Sequence, residues 1–173
     1  MRLDSAGARF QGTFKTTGGR RFKGLVIEAS LLRDKASIND YVIRVGKQAT
    51  VNPGDVIVYD NDRYILGHAA TEMAGELLFR FMRMILVTHD LEWKRPTVIK
   101  DLVSNLDREN GEDPLGTIAL SLLADGVIND VFKVQASKYR VVAGSEVKVN
   151  DRLGDYLVTF VELKYGVYFA EAK

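Results

Sequence analysis

The sequence predicts a mainly β chain: two tandem, related, small antiparallel β-barrel or sandwich modules joined by a short helix and a linker. Three observations lead there. One stretch occurs twice, hairpin chemistry recurs after each copy, and a helical spacing of apolar residues lies between them. Residues 27–40 read IEASLLRDKASIND and residues 118–130 read IALSLLADGVIND, with eight of thirteen paired positions identical once one residue is skipped. The echo continues as Val56-Ile57-Val58, Asp60 and Tyr64 against Val147-Lys148-Val149, Asp151 and Tyr156. The spacing between copies stays between 90 and 92 residues, as small changes in loop length would make it. Self-similarity at a near-fixed period marks a repeated structural unit.

The chain has 173 residues, 46% hydrophobic and 27% charged, which is enough apolar material for a real core. Each copy alone, at roughly 60–80 residues, is marginal by surface-to-volume scaling. Modules that share an interface, or that assemble into an oligomer, relieve this. The lack of cysteine excludes a disulfide scaffold, thiol catalysis and thiolate metal sites, and suits a reducing compartment. The residues after Met1 lack the apolar stretch of a signal peptide. The longest apolar-rich run, residues 77–87, is interrupted by Arg80 and Arg83 and is too short to span a bilayer, so no membrane partner is expected.

Taken in order, residues 1–21 read as a basic N-terminal arm, with a short strand at residues 10–15 and a turn at Thr16-Thr17-Gly18-Gly19. Residues 22–95 form the first β-module. Within it, residues 41–45 are β-branched and read as a strand. Asn52-Pro53-Gly54-Asp55 is a turn, because proline presets one central φ and glycine accepts the positive φ of the next. Val56-Ile57-Val58-Tyr59 goes out from it, Asp60-Asn61-Asp62 reverses the chain, and Arg63-Tyr64-Ile65-Leu66 returns. Residues 76–84 read as a further strand rich in aromatic and aliphatic side chains. Residues 96–112 are expected to be a helical linker. Val98, Ile99, Leu102, Val103 and Leu106 have helical spacing, Thr97 caps the start, and Asn110-Gly111 stops it. Residues 113–173 form the second β-module, with Lys148 between two valines as the alternation of a half-buried strand.

The net charge of +1 conceals an asymmetry, since residues 1–23 alone carry +5. A basic segment on a mildly acidic body docks on acidic neighbours or phosphates. Arg9, Lys15, Arg20 and Arg21 are therefore candidate interface residues. Trp93, Lys94 and Arg95 join them, because the only tryptophan sits among charges in Glu92-Trp93-Lys94-Arg95-Pro96 and tryptophan often anchors contacts. Phe79, Phe81, Met82 and Met84 with Arg80 and Arg83 are either core or a base-stacking strip. No catalytic, cofactor-binding or metal-ligating set is assigned. His89 has Asp90 beside it but no placed nucleophile, His68 follows a strand, and Asp60-Asn61-Asp62 does not continue into a calcium loop.

Residues 51–66, with a Pro-Gly-Asp turn, a strand, a polar reversal and an Arg-Tyr return strand, resemble tailed-bacteriophage head-closure and head–tail joining proteins. Residues 27–45, with Ser30-Leu31-Leu32, look like the earlier strands of the same small barrel. The resemblance implies a non-enzymatic virion protein of the neck: a homo-oligomeric ring between portal or adaptor and tail, near packaged DNA and without cofactor. The alternative is a nucleic-acid-binding β-module using the basic arm and the strand from Phe79 to Arg83.

Overall fold

The computed structural model describes residues 8–28, 41–74, 77–100, 107–123 and 139–173. In the first half, β1 (Ala8–Lys15), β2 (Arg21–Glu28), β3 (Tyr41–Gly46), β4 (Val56–Tyr59), β5 (Asp62–Ala74) and β6 (Leu77–Leu86) pair antiparallel, in the order β1-β2-β3-β6-β5-β4. In the second half the elements are β7 (His89–Lys100), β8 (Asp107–Leu123), β9 (Tyr139–Ala143), β10 (Arg152–Leu153), β11 (Tyr156–Lys164) and β12 (Val167–Ala172). Their order is β7-β8-β9-β12-β11-β10. The two orders are the same. The second sheet is a closed barrel, because β10 also pairs with β7 through Arg152↔Lys94 and Leu153↔Trp93. The first stops one step short. Its β1 and β4 meet only at the bridge Thr16↔Ile57, beside a 2.8 Å bond from the Thr17 N–H to the Val56 carbonyl.

Among the described residues every regular element is a strand, and the helix expected within 96–112 is corrected there. Val98, Ile99 and Lys100 lie in β7, opposite Glu109, Arg108 and Asp107 of β8. Val98 and Ile99 are β-branched residue types that suit a pleated ladder, and the pairing partner arrives from farther along the chain. Positions 101–106, which carry the rest of the expected helix, lie outside the described residues. The expected linker at 107–112 is likewise strand. The chain passes from the first sheet to the second at Val87-Thr88, so residues 89–95 belong to the second barrel and residues 8–15 of the basic arm form β1.

Register, rather than the echoed letters, decides which residues correspond. Val26 lies opposite Ile43 in the first core, and Leu122 lies opposite Val141 in the second. Val26 therefore matches Leu122, a shift of 96 residues instead of 91. The difference is odd, and an odd slip turns each side chain to the other face. Ile27 indeed packs on the outer face with Val42 and Phe81, whereas Ile118 points into the second core. The shift of 96 also relates the loops before β4 and β10. Val51 and Val147 are both buried, and Gly54 and Asn150 both adopt left-handed φ, 92° and 74°. The Asp55 and Asp151 carbonyls accept from Leu66 and Val158 N–H at 2.8 and 2.9 Å. Val147 thus corresponds to Val51 rather than Val56, and Val149 to Pro53 rather than Val58. Tyr64 and Tyr156 do hold equivalent places. Each makes an edge-to-face contact with a tyrosine of its module, Tyr41 at 6.2 Å and Tyr139 at 5.0 Å.

A third cluster joins the modules: Ile65 and Ile85 from the first, Val142, Val167 and Phe169 from the second. The His68 N–H donates to the Tyr165 carbonyl at 2.6 Å, the Arg83 guanidinium lies 4.6 Å from the Tyr165 ring centre, and Arg63 ion-pairs with Asp90. The turns at Gly54 and Gly144 also meet backbone on backbone. A Cβ on Gly144 would come within 2.2 Å of the Gly54 carbonyl oxygen. Gly144→Ala is expected to cost about 1–3 kcal/mol, the scale of overpacking in a tight contact. Gly46→Ala, with open space around it, is expected to stay within about 0.5 kcal/mol of wild type. Urea unfolding compares the two. Equal stability for Gly144→Ala and wild type would mean the turns do not touch.

Candidate interface

Trp93, Lys94 and Arg95 lie on β7, where that strand meets β10. Antiparallel pairing brings them beside the loop that carries Asp151, whose carboxylate is fully buried. The Trp93 indole N–H donates to Asp151 Oδ2 at 2.9 Å. Arg95 donates from Nε to Oδ1 at 2.8 Å and from Nη2 to Oδ2 at 2.9 Å. The Lys148 backbone N–H adds a fourth bond at 2.9 Å, and Arg95 also reaches the Glu146 carbonyl at 2.9 Å. Burial pushes the Asp151 carboxyl up, but the bonds from Arg95, Trp93 and Lys148 outweigh it and hold the pKa below the usual carboxylate value. The same carboxylate, through its hydrogen bond and charge, raises Arg95 above the ordinary arginine value against desolvation. Trp93 and Arg95 are thus committed within the barrel. Lys94 stays at the surface, 3.4 Å from Glu92.

Asp151 is the residue the sequence reading missed. Its signal is the repeated loop Val51-Asn52-Pro53-Gly54-Asp55 and Val147-Lys148-Val149-Asn150-Asp151, each with a valine in the core and an aspartate binding back to the amide three residues earlier. Asp55 takes Arg20 as its ion-pair partner.

Lys15 and Arg21 remain outward and directly opposite one another in the β1–β2 ladder, with Lys23 two residues on along the same exposed face. Arg9 lies in β1. The aromatic strip is mostly core. Phe81, Met82 and Met84 are buried, Arg80 donates to the Ala49 and Val51 carbonyls at 2.7 and 3.0 Å, and Arg44 covers Phe79 at 4.6 Å. His89 Nδ1 lies 2.8 Å from Thr88 Oγ1, while Asp90 is taken by Arg63. Among the described residues no group of three or more His, Asp or Glu is placed to hold a metal ion. Arg140 is buried in β9, and desolvation holds its pKa below the ordinary arginine value.

One further surface comes from the hairpin of β7 and β8. Among the described residues, β7 pairs with β10 only at Trp93 and Lys94, and β8 pairs with β9 only from Leu120 to Leu123. Residues 96–100 and 107–112 therefore form a two-stranded ribbon past these pairings, tied to β10 by the Glu112–Arg152 ion pair at 2.7 Å, with Val98 54% exposed. Comparison of the chain with protein families, curated proteins and solved structures finds no match.

The Asp151 cluster sets an acid limit on stability. A carboxyl whose folded pKa is depressed contributes its full stabilisation above the unfolded value, about 3.9. That contribution is lost as pH falls through the lower folded value. Asp151→Ala is expected to cost on the order of 3 kcal/mol at neutral pH, because it strands Arg95 and the indole N–H. Trp93→Phe, which removes one hydrogen bond, is expected to cost about 1 kcal/mol. Chemical unfolding at pH 7 and at pH 3 checks both. An Asp151→Ala chain as stable as wild type at pH 7 would remove the cluster from the account.

Proposed function

We propose that this chain is a structural protein of a tailed-bacteriophage virion, a neck or head–tail connector component that forms a ring joining head to tail. In this reading its neighbours are portal, adaptor or tail proteins, packaged DNA lies near the ring lumen, and no side chain carries catalytic turnover. The observation that supports it most is the place of the resembling segment. Residues 51–66 run as one unit through the Asp55-anchored loop, β4, the left-handed pair Asp60-Asn61 and β5. That unit sits in a small β-module whose strand order is repeated in the second half. A module with one open seam, beside a module with a two-stranded ribbon, also suits assembly with further copies, since free strand edges pair readily.

Negative-stain images of the purified full chain are expected to show rings with a central lumen. His68→Ala and His89→Ala are expected to assemble as wild type does. Compact single chains at every concentration tested would sink the ring reading, and a chemical activity lost in a well-folded His89→Ala protein would sink the non-enzymatic one.

A further inference from the structure

The outer face of the first sheet gathers a band of cations. Lys15 lies directly opposite Arg21 in the β1–β2 ladder, and Lys23 follows two residues on. Arg44 of β3 stands opposite Leu25, two residues farther along the same face of β2. Lys15, Arg21 and Lys23 are exposed and Arg44 is half-buried. None of the four has an ion-pair partner among the described residues, whereas Arg20, on the adjoining turn, is held by Asp55. Glu72, in β5 beyond Phe79, is the one acidic residue that register places on this face among the described strands. Like charges directly opposite one another destabilise a sheet, and an anionic partner relieves that repulsion. At about 3.4 Å per residue the band runs for roughly 14 Å along β2. That is the rise of about four phosphates on one stacked nucleic-acid strand.

The band ends at an opening that suits a flat ring. Gly46 lies opposite Phe79 in the β3–β6 ladder, and a Cβ there would meet nothing within 4 Å. The glycine opens onto a cleft of about 470 Å³ whose lining includes Lys23, Leu25, Arg44 and Phe79. The Arg44 guanidinium lies 4.6 Å from the Phe79 ring centre, so the cleft presents a planar cation against an aromatic ring. Unpaired bases stack on guanidinium planes and aromatic rings alike. Phe79 is the part of its strand left for this role, since Phe81 and Met82 are buried and Arg80 holds the Ala49 and Val51 carbonyls. An acidic protein would satisfy the lysines and Arg21 but leave the Arg44–Phe79 platform without a role.

We infer that this face binds single-stranded nucleic acid, with phosphates along Lys15, Arg21 and Lys23 and one base stacked in the Arg44–Phe79 cleft. Phosphate contacts supply salt-dependent affinity without sequence preference. A stacked base adds to it in a sequence-tolerant way, because every base has a π-face. A duplex keeps those faces inside its own stack and offers the cleft nothing. The residues come from β1, β2, β3 and β6 of one module. A single chain therefore presents the whole surface, and the inference does not rest on the ring reading.

Fluorescence anisotropy of the full chain with a labelled thymidine oligonucleotide of about 12 nucleotides, a length that one small β-barrel site spans, tests it across a salt series. Lys15→Gln/Arg21→Gln/Lys23→Gln is expected to weaken binding at least about tenfold and to flatten the log–log salt slope by about 2, the share of three phosphates on a single strand. Phe79→Leu is expected to weaken binding about tenfold, within the range for losing one stacked base, and to leave the slope unchanged. Thermal melts establish that the variants are folded. Where Phe79→Leu lowers the melting temperature, Arg44→Lys, which keeps the charge and removes the plane, takes its place with the same expectation. A duplex that binds as tightly as the single strand would overturn the inference. So would an oligonucleotide that holds wild type and the triple variant equally. Displacement by polyglutamate at matched charge, with Phe79→Leu and Arg44→Lys both without effect, would make an acidic protein the partner and overturn it too. Sedimentation of the same proteins reads assembly separately: rings that bind no oligonucleotide would remove this inference and leave the ring reading standing.

Discussion

The second barrel hangs on one buried carboxylate. Asp151 binds Trp93 and Arg95 of β7 with its side chain, folds its own loop through Lys148, and engages β11 through its carbonyl and Val158. Those bonds deliver the chain into β10, whose two residues complete the closure against β7. A buried ion pair commonly does little better than break even once its charges have left water. What Asp151 contributes is therefore position more than net stability. The first module has the same loop and the same aspartate, but Arg20 reaches Asp55 from an exposed turn, and that seam stays open. Closure follows the better buried of the two anchors.

The hairpins were legible because their turn residues act locally: Asp60 and Asn61 adopt left-handed φ, 51° and 67°, a conformation that Asp and Asn tolerate through their own side chains. The duplication was legible in letters, yet its register was not. Much of the echoed stretch falls at 29–40 and 124–130, outside the described residues. The burial of Val26 and Leu122, which fixes the register, depends on strands that arrive later in the chain. The same limit explains Val98 and Ile99, whose spacing fits a helix until β8 provides a pairing partner. Trp93 and Arg95 stood out by composition. Nothing near them in sequence announces that their acceptor is Asp151, more than fifty residues away.

Only Val87 and Thr88 separate the last strand of one sheet from the first of the other, and each is pinned to a different module. The Val87 N–H donates to the Arg63 carbonyl at 2.8 Å, and the Thr88 N–H to the Leu120 carbonyl at 3.0 Å. Thr88 Oγ1 also accepts from the Leu122 N–H at 2.7 Å. With Gly54 against Gly144 at one contact and Tyr165 against Arg83 at another, the modules have little freedom to rotate about this connection. A surface on one module and a surface on the other are thereby presented at a set angle.

Two halves with one strand order invite a folding error in which a strand docks in the wrong half, a common failure of repeat proteins. The cores hold a guard against it in side-chain volume. Along the matching ladders, Met82 and Met84 of β6 stand where β12 has Ala170 and Ala172, and Gly24 of β2 stands where β8 has Leu120. Strand β6 placed in the second barrel would drive two methionines into space already filled by leucines. Strand β12 placed in the first would leave a void where Met82 and Met84 pack. Either exchange is penalised, by overpacking in one direction and by a cavity in the other. Bulk and its absence thus sort otherwise interchangeable strands into their own halves.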